Sequence, residues 1–170
     1  MDALTALRTR RSIRHYASRP LPREVLEQIV DAGRLAATAR NLQPWHFVVV
    51  TERATLDKLA ELCEYGKFLR QAPACIVVFC NADAKYYLED GSAATQNMLV
   101  AAHALGLGAC WIAGDKKPYA SEVANLLHAP PSVRLISLIA VGYPAGPPPS
   151  VPKKPQSEVL HWEHFSTSTK

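Results

Sequence analysis

The chain has 170 residues, 48% of them hydrophobic and 20% charged, which is the composition of one globular domain with room for a real core. Its formal net charge of +4 is too mild, and its basic residues too dispersed, for a nucleic-acid-binding face. The longest apolar runs (75–80, 98–102, 135–141) fall far short of a bilayer span, and the opening Met1-Asp2-Ala3-Leu4 lacks the layout of a signal peptide, so a cytoplasmic protein with no membrane contact is expected.

Residues 2–9 read as a short helix capped by Asp2, with Leu4 and Leu7 facing inward. A cluster follows, Arg10-Arg11-Ser12-Ile13-Arg14. Pro20 and Pro22 open a second helix over 23–37, where proline loses no needed hydrogen bond, and Val25, Leu26, Ile29, Val30 and Leu35 approximate a 3.6-residue period. A polar loop over 38–45 precedes a buried strand at 46–51. Residues 54–63 are helical, 64–72 irregular, and 74–80 a second buried strand. The longest helix signal covers 86–106. Its small residues, among them Ala93, Ala94 and Ala101, suit close helix packing. Gly106-Leu107-Gly108 ends that helix, since glycine tolerates a left-handed cap. A short strand at 109–112, a helix at 119–127 and a strong strand at 133–141 follow. The proline-rich stretch 144–155 should be extended and partly exposed. Glu158 to Trp162 is expected to add a last strand packed on something.

Interspersed helices and strands with long crossovers predict an α/β or α+β sheet with helices on both faces, in one domain and without repeats. Cys63, Cys75, Cys80 and Cys110 form no C-x-x-C pair, and three lie in apolar runs, so they read as core residues rather than a disulfide or zinc framework. The six histidines show no metal-ligand spacing, and no G-x-S-x-G nucleophile motif is present.

Four stretches carry possible chemistry. Arginine offers a planar fork that matches phosphate, and Ser12 adds a donor, so Arg10–Arg14 can hold an anion; alone, it can equally be a solvated helix end. Asn41-Leu42-Gln43-Pro44-Trp45 offers amide donors and acceptors suited to a heteroaromatic ring, or a loop cap over a buried tryptophan. Gly106 to Gly114 lacks the spacing of a dinucleotide fingerprint; its small residues admit a flat ligand or serve tight packing. Pro152-Lys153-Lys154 could reach a phosphate or simply lie at the surface.

In this order, these stretches resemble the nitroreductase family of flavoproteins. The family shows R-R-S-x-R, then A-P-S-x-x-N-x-Q-P-W and an apolar strand, a helix ending G-L-G, C-W-I-x-G, a strand ending G-Y-P and a basic arm. The resemblance covers nearly the whole chain through Arg10–Arg14, Asn41–Trp45, Gly106–Gly114, Gly142–Pro144 and Pro152–Lys154.

The resemblance implies an α+β fold with a central, mixed but mainly antiparallel sheet, and a homodimer that exchanges C-terminal arms from about residue 144. It implies FMN at the subunit interface and an FMN-dependent NAD(P)H oxidoreductase that reduces nitroaromatic or quinone-type acceptors by ping-pong hydride transfer through flavin N5. Arg10, Arg11 and Ser12, with Lys153 or Lys154, would hold the phosphate. Arg14 would face the pyrimidine edge and tune the flavin. Thr38, Asn41 and Gln43 would contact the ring, in part from the other subunit. Trp111, Ile112, Ala113 and Gly114 would line it, with the backbone N–H groups of Ala113 and Gly114 near N5 and O4. No side-chain acid or base is required.

This chain departs from the pattern at Ala36-Ala37-Thr38, where a proline is missing and threonine replaces serine, and in the arm, where Lys154 stands in the place of an arginine. The few residues between the strand at 80 and the long helix match the short members of the family and imply an open flavin face with loose substrate preference. Other flavin reactions on the same fold (dehalogenation, heterocycle oxidation, flavin consumption) and a non-catalytic flavin-binding module are the competing readings.

Overall fold

A computed structural model of the protein describes residues 1–165. In chain order the elements are α1 (Ala3–Thr9), α2 (Arg23–Arg34), a 3-10 turn at Ala39–Asn41, β1 (Trp45–Val50) and α3 (Arg53–Leu62). A 3-10 turn at Lys67–Arg70, β2 (Ala74–Asn81) and α4 (Tyr87–Ala104) follow, then β3 (Gly108–Ala113), α5 (Ala120–Leu126), β4 (Val133–Gly142) and a last 3-10 turn at Gln156–Glu158.

The four strands form one sheet in the order β1-β2-β4-β3, every neighbouring pair antiparallel. An isolated parallel bridge joins Ser12, outside the four-stranded ladder, to Ala109 near the start of β3. β2 is central, and all but its last residue are buried, which is why it reads as a continuous apolar run rather than an alternating one. Helices cover both faces. Leu56, Leu59 and Val123 of α3 and α5 pack on Val77, Phe79, Leu138 and Ala140, while Ile29, Ala94, Met98 and Ala102 of α2 and α4 pack on Ile76, Val78, Ile139 and Val141. The layered α+β arrangement matches the expected fold class.

α2 and α4 approach closely because Gly33 leaves room; a Cβ there would sit 2.8 Å from the Met98 side chain. Gly91, just past the first turn of α4, lets the helix settle on the sheet, since a Cβ would lie 2.8 Å from Ile136 and 2.9 Å from the Cys80 sulfur. The polar groups enclosed by this packing are paired: Thr95 and Ser137 share a hydrogen bond of 2.8 Å inside the core.

Some expectations are corrected. Leu4 and Leu7 are not inward; both are more than half exposed, and Ala6 is the residue of α1 that packs. The second helix ends at Arg34 rather than 37, because the chain must turn there to bring Thr38 to α4. Among the described residues Glu158 to Trp162 forms no strand: it holds a 3-10 turn, Val159, Leu160 and Trp162 are exposed, and the His161 ring lies 4.7 Å from that of Phe165. A strand needs a neighbour to satisfy its backbone, and among the described residues no strand pairs with the segment. The stretch 144–155 is extended and exposed, as its prolines require.

Candidate active site

α1 is capped by Asp2, whose carboxylate accepts the Thr5 N–H at 3.0 Å. It ends at Thr9, and the Arg11 guanidinium folds back to donate to the carbonyls of Arg8 (2.9 Å) and Arg10 (2.8 Å), closing the helix end. The chain then docks on the outer edge of β3, where the Ile13 N–H donates to the Ala109 carbonyl at 3.1 Å. Gly108 permits this approach, as a Cβ there would sit 2.7 Å from the Ile13 side chain. Ile13 and Tyr16 point into the core, and the Tyr16 hydroxyl donates to the Ile13 carbonyl. Ser12 and Arg14 are thereby turned outward.

Arg10, Arg11, Ser12 and Arg14 line a cavity of about 180 Å³ closed on its far side by Pro149, Val151 and Lys153 of the arm. Lys153 reaches it and Lys154 does not. Among the described residues, no ion pair within 4.0 Å engages any of these cations, so charge of one sign converges without a protein counter-ion. Arg14 also lies 5.8 Å from the centroid of the Phe68 ring and borders a second cavity, of about 360 Å³, with Ser12, His15 and the arm residues Ala145, Gly146, Pro147 and Pro149. His103 of α4 joins Thr9 at 2.7 Å; burial, with Arg10 and Arg11 nearby, holds its imidazole below the ordinary histidine range.

From this cradle β3 runs outward with Trp111 and Ala113 exposed on one side and Ile112 buried on the other. Ile112 therefore offers a ligand only its backbone, since its side chain belongs to the core. Gly114 is corrected as well. Its N–H donates to the Ile136 carbonyl at 3.0 Å, and its missing side chain makes room for Leu135, 2.6 Å from where a Cβ would stand.

The loop carrying Thr38, Asn41 and Gln43 lies at the other end of the sheet, ahead of β1. Arg40, Asn41 and Gln43 all have positive φ, at 53°, 56° and 50°. Gln43 Nε2 donates to Asn41 Oδ1 at 3.2 Å, and both side chains are exposed. Thr38 does not present a free hydroxyl. It donates to Asp90 Oδ2 at 2.8 Å and accepts the Gln43 N–H at 3.1 Å. Asp90 was not legible as a site residue; an acidic residue in the first turn of a helix ordinarily answers the helix dipole alone.

Strand spacing and rise separate the head of β3 from the start of β1 by more than about 20 Å. Within one chain, then, the cradle of Arg10–Arg14 and the loop of Asn41 and Gln43 lie far apart, at opposite edges of the sheet.

The four thiols are buried and unpaired. Burial pushes Cys63 up to about 11 and Cys80 to about 12, and it raises Cys75 and Cys110 as well, Cys110 against the pull of Arg14, Ser12 and Arg10. They are inert core residues at neutral pH. Among the described residues, no helix is long and apolar enough to cross a membrane.

Comparison with known proteins places the chain by family and fold. The model of the nitroreductase family matches residues 7–66 and 62–143. A protein of Methanothermobacter thermautotrophicus with a provisional NADH dehydrogenase/NAD(P)H nitroreductase designation is 39% identical over 153 residues, covering 87% of this chain and 80% of the relative. An FMN-dependent nitroreductase from Clostridium difficile superposes with a TM-score of 0.89 at 28% identity, covering 95% of this chain and 99% of its own. A provisionally designated nitroreductase from Desulfovibrio desulfuricans, solved in complex with FMN, gives 0.86 at 35% identity, covering 98% and 99%. The family match spans most of the chain and the fold agrees with it throughout, so the chain belongs to the nitroreductase family.

Proposed function

We propose that the protein is an FMN-dependent NAD(P)H oxidoreductase acting on nitroaromatic or quinone-type acceptors. The observation that carries this reading is the convergence of Arg10, Arg14, Lys153 and Ser12 on one small cavity at the head of an open strand edge. Unpaired guanidinium forks with a hydroxyl suit a phosphate monoester. The exposed flank of β3, Trp111 to Ala113, leads away from that cavity and offers a wall for a flat ring.

Bound there, FMN would supply a hydride relay at N5, taking a hydride from NAD(P)H and passing it to the acceptor in a ping-pong sequence. The residues of this chain do the rest. Arg10, Ser12 and Lys153 bind the phosphate, and Arg11 holds their backbone in place. Arg14 sets a fixed cation toward the pyrimidine edge, where negative charge grows on reduction. Asn41 and Gln43 orient the ring edge from a second copy of the chain, which supports a homodimer with shared sites. The turn between β2 and α4 holds only residues 82–86, so this segment leaves the ring face open and the acceptor range wide.

The arm supports the same dimer. Val159, Leu160, Trp162 and Phe165 are exposed, and a groove of about 720 Å³ lies beside the β1 edge, lined by Leu21, Leu26, Val30 and Val49. We assign that groove to the partner's arm.

Absorbance spectroscopy tests the reading. Purified protein supplied with FMN should retain flavin absorbance through gel filtration and bleach with NADH or NADPH. Colourless protein after FMN addition rejects it, and bound flavin that NAD(P)H and a panel of acceptors leave unchanged favours a binding module.

A further inference from the structure

We propose that Asp90 is a positioning residue for the flavin half-site on the 38–43 loop, an inference that rests on the functional reading above. Asp90 lies in the first turn of α4 and is only 5% exposed. Burying a carboxylate is costly unless it is hydrogen-bonded, so what it bonds to matters. Its two oxygens serve a distant segment: Oδ2 accepts the Thr38 hydroxyl at 2.8 Å, and Oδ1 accepts the Ala39 N–H at 3.1 Å.

Thr38 passes the constraint on. A hydroxyl has one proton, and here it goes to Asp90; a lone pair then accepts the Gln43 N–H at 3.1 Å. Gln43 in turn donates through its side chain to Asn41. The relay runs Asp90, Thr38, Gln43, Asn41, and it crosses a segment whose Arg40, Asn41 and Gln43 all sit in the left-handed region. Non-glycine residues there persist only where the surroundings over-determine them. Gly91 completes the device, because only a bare Cα lets this turn of α4 sit against Ile136 and Cys80. The relay therefore holds the amides of Asn41 and Gln43 in one geometry before any ligand arrives, and Thr38 acts within it rather than as a donor to the ring.

The test uses the full chain with two readouts: FMN affinity from quenching of flavin fluorescence, and hydrogen exchange of the Gln43 amide in FMN-free protein. Thr38→Val should weaken FMN binding about 10- to 100-fold, the worth of a charge-assisted hydrogen bond, and remove protection of the Gln43 amide. Thr38→Ser should restore both. Asp90→Ala should match Thr38→Val, and the double variant should bind no more weakly than the weaker single one. Wild-type affinity and wild-type protection in Thr38→Val would overturn the proposal, as would failure of Thr38→Ser to rescue. If the unmodified protein takes up no FMN, the functional reading falls, while Gln43 exchange still decides whether Asp90 holds the loop.

Discussion

The five cationic side chains at the head of β3 and on the arm divide by what each already holds. Arg11 spends its guanidinium on two carbonyls at the end of α1. Arg14 rests near Phe68. Arg10 and Lys153 line the cavity with no carboxylate paired to them, and Lys154 lies outside it. The sequence left Lys153 and Lys154 as alternatives, with Lys154 in the place of the family's arginine, because a proline-rich arm does not reveal which side chain turns inward. We therefore expect Arg10→Ala or Lys153→Ala to weaken FMN binding about 10- to 100-fold, the range for hydrogen bonds to charged groups. Lys154→Ala should change it less than about threefold, within the small effects of surface substitutions. Titration of flavin fluorescence measures both, and equal losses for the two lysines would return Lys154 to the cradle.

At the scale of elements, the strongest signals came from burial. β2, β4 and α4 are covered by packing, and their apolar runs placed them within a residue or two of the observed bounds. What remained illegible depends on contacts between distant segments. Leu4 and Leu7 have the spacing of a buried face, yet α1 packs through Ala6, and nothing local distinguishes the two. Asn41 and Gln43 were legible by residue type, but their link to Asp90 was not, because it joins positions about fifty residues apart. Gly91 makes a sharp test of this packing. Its Cβ position is crowded by buried side chains of Ile136 and Cys80, neither of which is the free end of a flexible group. Gly91→Ala should lower stability by about 1–3 kcal/mol despite alanine's better helix propensity. A melt by circular dichroism measures it, and an unchanged or raised midpoint would show that the α4–sheet contact gives way.

The whole molecule poses a different question, because the chain carries more exposed apolar surface at its end than it can use. The core clusters draw on residues 13–141 together with a few flanking groups, and among the described residues the last backbone tie between arm and body is the Ala145 N–H to the His15 carbonyl at 3.0 Å. Beyond that tie, every residue from 146 to 160 is exposed. A chain ending at Ala145 should therefore keep its helices and sheet with a thermal midpoint close to that of the full chain. On the dimer proposed above, it should also lose dimerisation, since the groove beside β1 would have no arm to fill it, and lose FMN with it. Removal of Lys153 alone confounds the flavin readout, so the full-length Lys153→Ala variant is the control: it should bind FMN weakly and remain dimeric. Light scattering and flavin absorbance on the three proteins separate these effects. A shortened chain that stays dimeric and keeps FMN would place the interface on the exposed face of α1 and its surroundings, and would remove the arm from the site.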